Sequence, residues 1–258
     1  MAKFKLTLEY DGSRYSGWQI QREERSVMGE VVGAARKVFQ TNLLDVYGAG
    51  RTDTGVHALQ QVAHLEVETK LAPAAIRMKL NDELPHDVNI LKVEKAHHRF
   101  HARFDAVARS YVYQITRRRH AFGKRYMWWI KDDLDVKAMQ EACSLFVGKK
   151  DFRSFSNDDP NEKSTVVQLQ HLQIHEEGDL LIIHVIGSHF LWKMVRRIVG
   201  VLVEVGRGNL TQEDIRDFLA HPTNAPAQYT APPSGLFLER VYYDKDPIDK
   251  QYRILFRG

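Results

Sequence analysis

The stretch VVQLQHLQIHEEGDLLIIHVIGSHFLWKMVRRIVGVLVEV, residues 166–205, decides the fold class of this chain. Val166–His175 and Leu180–Ile186 are rich in β-branched and aliphatic residues. They flank Glu176-Glu177-Gly178-Asp179, which is typical of a turn, so they predict paired strands. His189–Val205 has helical spacing and is followed by glycines, which predicts a long helix that ends there. A strand pair followed directly by a helix indicates an α+β arrangement.

Outward from this stretch, the same signals predict the remaining elements. In the second half they are a strand at Arg109–Arg117, a helix from an Asp135 cap to about Val147, a helix opened by Thr211 and Asp214 and running to Ala220, and a strand at Gly235–Tyr243. In the first half they are strands at Lys3–Tyr10, Leu44–Tyr47, Gln61–Glu68 and Val88–Val93, a helix at Val27–Gln40 capped by Ser26, and a helix at Ala72–Leu80.

Both halves therefore run strand, helix, strand, strand, helix. This order predicts an α+β fold of two pseudo-repeated α/β halves that share a mostly antiparallel mixed sheet flanked by helices, with an active-site cleft between the halves. We expect the first half to span residues 1–105 and the second to span residues 106–258. No low-complexity linker separates them.

Composition narrows the class of protein. Of 258 residues, 43% are hydrophobic and 27% charged, as in ordinary globular chains. The most apolar stretch, Phe190–Val205, contains four charged residues, and the N-terminus has no apolar signal segment, so we expect a cytoplasmic protein and no membrane span. Cys143 is the only cysteine and falls at an apolar helical position, which predicts a buried thiol.

The positive charge is concentrated in residues 97–131, which hold nine Lys and Arg residues against one acid, Asp105. A polyphosphate backbone attracts such a segment by counterion release. A solvated basic face on an ordinary enzyme would have the same composition. Eight of these residues are our candidates for contact with an RNA backbone: Arg99, Arg103, Arg109, Arg117, Arg118, Arg119, Lys124 and Arg125.

The segment whose residues are best suited to catalysis is GAGRTDTGVHA, Gly48–Ala58. It matches neither the Walker pattern nor the dinucleotide fingerprint, so nucleotide cofactors are disfavoured. It places the Asp53 carboxylate two residues from the Arg51 guanidinium, in backbone where glycine permits close approach of a ligand. A nearby arginine favours an ionised carboxylate, which can act as a nucleophile without metal or cofactor. A commonplace turn salt bridge would have the same spacing.

Histidines at positions 57, 64, 97, 98 and 101 raise the question of a metal site. The chain has no HExxH spacing and no cysteine pair to complete such a site. We therefore expect no metal, and interpret these histidines as nucleic-acid contacts or surface residues.

The Gly48–Ala58 loop resembles the catalytic motif of the TruA family of tRNA pseudouridine synthases. Five further stretches resemble that family in the same order: Glu9–Gln19, His101–Asp105 with Arg109–Tyr113, Asp151–Phe155, Phe190–Gly200 and Ala231–Leu238. The sequence departs from the family pattern at Thr54, at Met28 and at Ser164–Val167, which lacks an arginine often found there. None of these departures touches Asp53, but the last two concern how the RNA is held.

The resemblance implies a function and a set of roles. It implies isomerisation of uridine to pseudouridine on the 3′ side of the tRNA anticodon stem-loop, at one or more of positions 38, 39 and 40, by a homodimer without cofactor. Asp53 would be the nucleophile and Arg51 would contact the RNA. Tyr111 would stack on the target uracil, Arg196 would pair with Asp53, and Leu236 would line the pocket. From the residues alone, Tyr111 could equally be a core residue and Arg196 a helix-surface residue.

Two other classes of function remain open at the level of sequence. One is a non-catalytic tRNA-binding module or RNA chaperone on the same fold. The other is a carboxylate hydrolase acting on a nucleoside or glycoside, but this chemistry normally needs two facing carboxylates, and the sequence shows no strong partner for Asp53.

Overall fold

Alternation of apolar and polar side chains forms the first strand, β1, from Ala2 to Tyr10. Phe4, Leu6 and Leu8 are buried because side chains alternate across a strand and these three share one face. The computed structural model describes residues 1–252 and 255. Within them the chain divides into two units, residues 1–107 with 237–247, and residues 108–236 with the part from 248 onward.

The first unit is built on a sheet in which β1 is the middle strand of three. Its neighbours are β3 (His57–Val67) and β4 (Val88–Lys95), both antiparallel to it. β3 also pairs with β2 (Leu44–Gly48), antiparallel, and with the last strand, β10 (Leu236–Tyr243), parallel at Phe237 and Leu238. The helices of this unit are α1 (Val27–Phe39) and α2 (Pro73–Glu83).

The second unit contains the hairpin predicted from the sequence. β8 (Val166–Glu177) pairs antiparallel with β9 (Leu180–Gly187), and β9 pairs antiparallel with β5 (Ala106–Thr116). β7 (Gly148–Asp151) joins the other side of β8, and the two-residue β6 (Trp128–Trp129) lies parallel to β5. The helices are α3 (Val136–Cys143), α4 (Met194–Gly206) and α5 (Gln212–Ala220).

These elements confirm the predicted α+β fold with mixed, mostly antiparallel strand pairing flanked by helices. The predicted helix caps are also present. Ser26 and Asp135 each accept a hydrogen bond from a backbone N–H in the first turn of their helix, and Thr211 and Asp214 form the reciprocal capping box. Cys143 is buried, as expected. Within the described residues, no helix is long and apolar enough to cross a bilayer.

The predicted start of the long helix was wrong. α4 begins at Met194, and the preceding Lys193 has a left-handed backbone with φ of 64°. Residues 188–192 are held in a non-helical path by contacts distant in sequence. The Ser188 N–H donates to the Gln168 carbonyl at 2.9 Å, and the Trp192 N–H donates to the Asp158 carboxylate at 2.8 Å. Tertiary hydrogen bonds thus override a helical sequence pattern here.

Other element boundaries also differ from the prediction. α3 ends at Cys143 and continues as a 3-10 turn over Ser144–Phe146, short of the predicted Val147. β3 begins at His57, four residues earlier than predicted, because its first residues pair with β10. The short strands β6 and β7 were not predicted, since two and four residues are too few to show a period.

Candidate active site

Asp53 lies in the loop between β2 and β3 and opens a tight turn. The Val56 N–H donates to the Asp53 carbonyl at 3.1 Å, which closes a β-turn over residues 53–56. The third residue of the turn, Gly55, has φ of 77°, a conformation that glycine adopts without strain. The Asp53 side chain is half-buried, whereas Arg51 is exposed. Gly55 therefore allows a tight turn whose first residue is Asp53, the candidate nucleophile.

The residue before Asp53 is held from both its backbone and its side chain. The Thr52 carbonyl accepts the Trp18 N–H at 3.1 Å, and the Thr52 hydroxyl lies 2.8 Å from the Tyr10 hydroxyl. Thr52, Trp18 and Tyr10 are all buried. At Gly17, with φ of 90°, an added Cβ would overlap the Thr52 carbonyl oxygen, so the two loops touch through their backbones. This framework fixes the backbone that carries Asp53, as precise placement of a reactive group requires.

His57, at the other end of the loop, is a structural residue. Its Nδ1 accepts the Gly12 N–H at 3.0 Å, while an Asp11 carboxylate oxygen lies 3.1 Å from the same nitrogen. One nitrogen cannot accept from Gly12 and also donate to Asp11. That carboxylate oxygen already accepts the N–H and hydroxyl of Ser13. We therefore assign the ring proton to Nε2. The ring stacks on Phe237, with centroids 4.7 Å apart, and so supports the loop.

In the second unit, Tyr111 lies on β5 with 9% of its surface exposed. Its ring meets the Phe190 ring edge to face, with centroids 5.0 Å apart and planes at 77°. This contact fixes the orientation of the tyrosine. Leu236, the first residue of β10, is 5% exposed.

Arg196 is in the first turn of α4 and is tied to the loop before β10. Its Nε donates to the Ala231 carbonyl at 2.7 Å, and the Ala231 N–H donates to the Arg196 carbonyl at 3.0 Å. The adjacent Pro232 carbonyl accepts the Tyr113 hydroxyl at 2.8 Å. Burial raises the pKa of Tyr113, and the positive charge of Arg196 opposes this more weakly, so the phenol stays a hydrogen-bond donor. Two consecutive carbonyls thus hold Arg196 and Tyr113.

The two consecutive arginines of α4 have different surroundings. Arg197 is buried and donates to the carbonyls of Ser154 and Ser156 and to the Asn157 side chain. Burial lowers its pKa. Arg196 is half-buried, so its guanidinium is the more accessible of the two. Arg197 therefore stabilises the turn over residues 153–157, and Arg196 is the more exposed of the two arginines.

The eight basic residues predicted to contact RNA differ in availability. Arg99 and Arg103 are in the first unit and the other six in the second. Arg117 pairs with Glu176 at 3.2 Å and Arg118 with Asp179 at 3.1 Å, next to the hairpin turn. The remaining exposed members are Arg99, Arg103, Arg119, Lys124 and Arg125, while Arg109 is half-buried and donates to the Ser188 carbonyl. Ion pairs near the surface are weak, so a phosphate can compete for Arg117 and Arg118. Their roles stay predictions.

Two contributors to the site were not assigned a role from sequence. Phe190 orients Tyr111, and the Ala231 carbonyl holds Arg196. Both lie inside stretches that carry the family resemblance, but a ring edge and a backbone carbonyl have no signature in residue type. Among the described residues, no group of three or more His, Cys, Asp or Glu is arranged to hold a metal ion.

Comparison with known proteins identifies the family. The family model described as tRNA pseudouridine synthase matches residues 7–105 and 142–244. A protein of Bacillus cereus named tRNA pseudouridine synthase A 2 is 39% identical over 253 residues, covering 94% of this chain and 100% of its own. A tRNA pseudouridine synthase A of Afipia carboxidovorans is 41% identical over 246 residues, with the same coverage. One of Clostridium perfringens, named A 2, is 36% identical over 245 residues, again with this coverage.

A chain in the solved structure of a Cbf5-Nop10-Gar1 complex also matches, at 12% identity over 77% of this chain and 54% of its own. Its TM-score of 0.32 is too low to add to the assignment.

The fold, the Asp53 loop and these matches together define a class of RNA-modifying enzyme. The chain belongs to the tRNA pseudouridine synthase family. It is accordingly an isomerase that acts on uridines of tRNA.

Proposed function

We propose that this enzyme converts uridine to pseudouridine at positions 38, 39 or 40 of the tRNA anticodon stem-loop, with Asp53 as nucleophile and without a cofactor. The observation that carries the proposal is the Asp53 loop. Its backbone is fixed by Trp18, Tyr10 and Gly55, while the carboxyl group itself is only half-buried. A rigidly placed, partly accessible carboxylate is suited to attack on a bound substrate.

The overall reaction needs no second substrate. The bond between the ribose C1′ and the uracil N1 breaks, the uracil turns, and C1′ bonds to C5. The proton lost from C5 is balanced by the proton gained at N1, so the product is an isomer of the substrate. A carboxylate that a nearby arginine keeps ionised can act as the nucleophile in such a rearrangement.

The proposal assigns substrate contacts to Arg51, Tyr111, Arg196 and Leu236. A stacked base must first be flipped out, at a cost of a few kcal/mol. Stacking on Tyr111 would return roughly 1–3 kcal/mol. Phe190 supports this role because it holds the tyrosine ring in place. The family resemblance implies that Arg196 would pair with Asp53, and the hydrogen bond from the Arg196 Nε to the Ala231 carbonyl supports this role because it fixes the position of the guanidinium.

The decisive experiment compares Asp53→Asn with Asp82→Asn. Asp82 is an exposed aspartate on α2 and serves as a control for loss of one carboxylate. Unmodified tRNA labelled with tritium at C5 of uridine releases the label when C5 bonds to the ribose. We expect Asp53→Asn to slow release by at least about a thousandfold with tRNA affinity retained. Asp82→Asn should keep full activity.

The same experiment separates the other classes of function. Tritium release by Asp53→Asn at the wild-type rate would show that Asp53 is not the nucleophile. Absence of release by the wild-type enzyme, with tight tRNA binding, would indicate a binding module. Free uracil among the products would indicate a hydrolase. Mapping pseudouridines in tRNA incubated with the wild-type enzyme tests positions 38, 39 and 40.

The family resemblance also supports a homodimer as the active form. Sedimentation equilibrium over a range of protein concentrations tests this, and a monomer at every concentration that retains activity would contradict it.

A further inference from the structure

Three neighbouring aromatic rings outside the Asp53 loop, two of them exposed and one half-buried, form a surface in the first unit. They are Tyr47 on β2 and His101 and Phe104 in the segment after β4, and we call them the aromatic patch. Phe104 is 76% exposed and Tyr47 is 48% exposed. The His101 ring contacts both, with its centroid 4.2 Å from Phe104 and 5.9 Å from Tyr47. Single exposed apolar residues are ordinary, but three neighbouring rings indicate a binding surface.

A buried histidine supports the patch from below. His64 is 1% exposed, and its ring stacks on Tyr47 at 5.2 Å and meets His101 edge to face at 4.8 Å. Burial, with the nearby His101, lowers the pKa of His64 to about 4. The ring is therefore uncharged near neutral pH. Its Nδ1 accepts the Ala102 N–H at 3.1 Å, which fixes its orientation. The neutral His64 ring, held by this hydrogen bond, therefore supports the Tyr47 and His101 rings through direct contact.

The segment that carries His101 and Phe104 is itself ordered by hydrogen bonds. The Tyr243 hydroxyl donates to the Ala102 carbonyl at 2.7 Å. The Asp105 carboxylate accepts the His101 N–H at 2.9 Å, and the Asp105 N–H donates to the His101 carbonyl at 3.1 Å. His101 Nδ1 accepts the Phe104 N–H at 3.3 Å. Rings held in this way lose little freedom when a ligand binds, which favours affinity.

The charge around the patch identifies the kind of ligand. Arg99 and Arg103 are exposed, and the Arg103 guanidinium lies 6.0 Å from the Phe104 ring. Residues 97–105 hold these two arginines and three histidines against one acid, Asp105. Exposed rings beside cationic groups match an unpaired nucleotide, whose base stacks and whose phosphates pair with arginine. A second copy of this chain would bring the same positive charges against them.

We propose that the aromatic patch binds an unpaired nucleotide of the RNA substrate by stacking, with Arg99 and Arg103 on the flanking phosphates. This inference rests on the proposed function in that it takes tRNA as the ligand. It adds a contact separate from the target uridine, so it governs affinity for the RNA rather than the chemistry at Asp53.

The test measures binding of unmodified tRNA to Phe104→Ala at several salt concentrations. Base stacking on an aromatic side chain contributes enough that its removal should weaken Kd between about fivefold and 150-fold. The dependence of log Kd on log salt should not change, because no phosphate contact is lost. Phe104→Trp should retain binding. Arg103→Ala should instead reduce the salt slope by about 0.7–0.9, the value for one phosphate.

Leu43→Ala is the matched control, because Leu43 is 80% exposed, belongs to the same unit as Phe104 and lies outside the basic segment of residues 97–131. We expect it to bind tRNA as the wild type does. Unchanged binding by Phe104→Ala, or equal losses in both variants, would overturn the proposal. So would a change in the oligomeric mass of Phe104→Ala alongside its loss of affinity, since the patch would then be a subunit interface.

Failure of this inference is distinguishable from failure of the proposed function. Phe104→Ala should raise KM and leave kcat at saturating tRNA unchanged, whereas Asp53→Asn should abolish turnover and leave Kd unchanged. The Phe104 variant tests tRNA binding and the Asp53 variant tests turnover, so either proposal can be refuted without affecting the other.

Discussion

The same substitution, Gly→Ala, should have opposite effects in two helices of equal length. Gly33 is within α1 and Gly200 is within α4, each of 13 residues. A Cβ added at Gly33 meets nothing within 4 Å. At Gly200 it would overlap the carbonyl oxygen of Tyr229 and lie 2.6 Å from the carbonyl carbon. The first site is open, and the second is a contact between a helix and the backbone of another segment.

The expected changes in the free energy of unfolding follow from the space around each glycine. Gly33→Ala should raise the free energy of unfolding by about 0.5–1 kcal/mol, because alanine loses less backbone entropy in a helix. At Gly200 the added Cβ would overlap the Tyr229 carbonyl oxygen, so the Tyr229 backbone must move by about 1.5 Å or more to accept the methyl group. Overpacking of this kind costs about 1–3 kcal/mol or more, so we expect Gly200→Ala to be destabilised by about 2 kcal/mol.

Urea denaturation followed by circular dichroism measures both changes from the transition midpoints. The displacement at Gly200 should also reach the site, because Tyr229 is two residues before Ala231, whose carbonyl holds Arg196. We therefore expect Gly200→Ala to lower kcat under conditions where it remains folded, and Gly33→Ala to leave kcat unchanged. If Gly200→Ala is as stable as Gly33→Ala, the close packing of α4 described above is wrong.

Three further predictions concern single side chains. Burial, with the neighbouring His184, lowers the pKa of His171 to about 4, so its contribution to stability is fully present above pH 6.5 and is lost as the pH falls toward 4. His171→Leu should show a smaller drop in unfolding free energy over this range, and an unchanged drop would refute the assignment. Arg196→Lys should lower kcat/KM by about tenfold or more and also lower Tm, because an ammonium cannot reproduce the planar guanidinium contacts and the bond from Nε to the Ala231 carbonyl is lost; wild-type kinetics would show that charge alone suffices. Tyr10→Phe should cost about 1–2 kcal/mol in urea denaturation, since the buried Thr52 hydroxyl loses its 2.8 Å partner, and no loss would mean that water replaces it.

Local patterns predicted most of the fold. The β8–β9 hairpin, the Ser26 and Asp135 caps and the Thr211 capping box were all identified correctly, because each depends on residues within a few positions of one another. The start of α4 was not, because hydrogen bonds from Asp158 and Gln168 hold the preceding residues out of the helix. β6 and β7 were missed because strands of two and four residues are too short to show a period.

Neighbouring residues were enough to predict the α+β class, the family and the candidate nucleophile Asp53, because hydrophobic periodicity, turn residues and the Gly48–Ala58 motif each lie within a short stretch of the chain. Packing in the folded chain buries Arg197 and leaves the adjacent Arg196 half-buried. It also places Tyr47, His64 and Phe104 around His101. The physical reason is the same in both cases. Burial and contact depend on which distant segments pack against a residue, and residue type alone does not specify those segments.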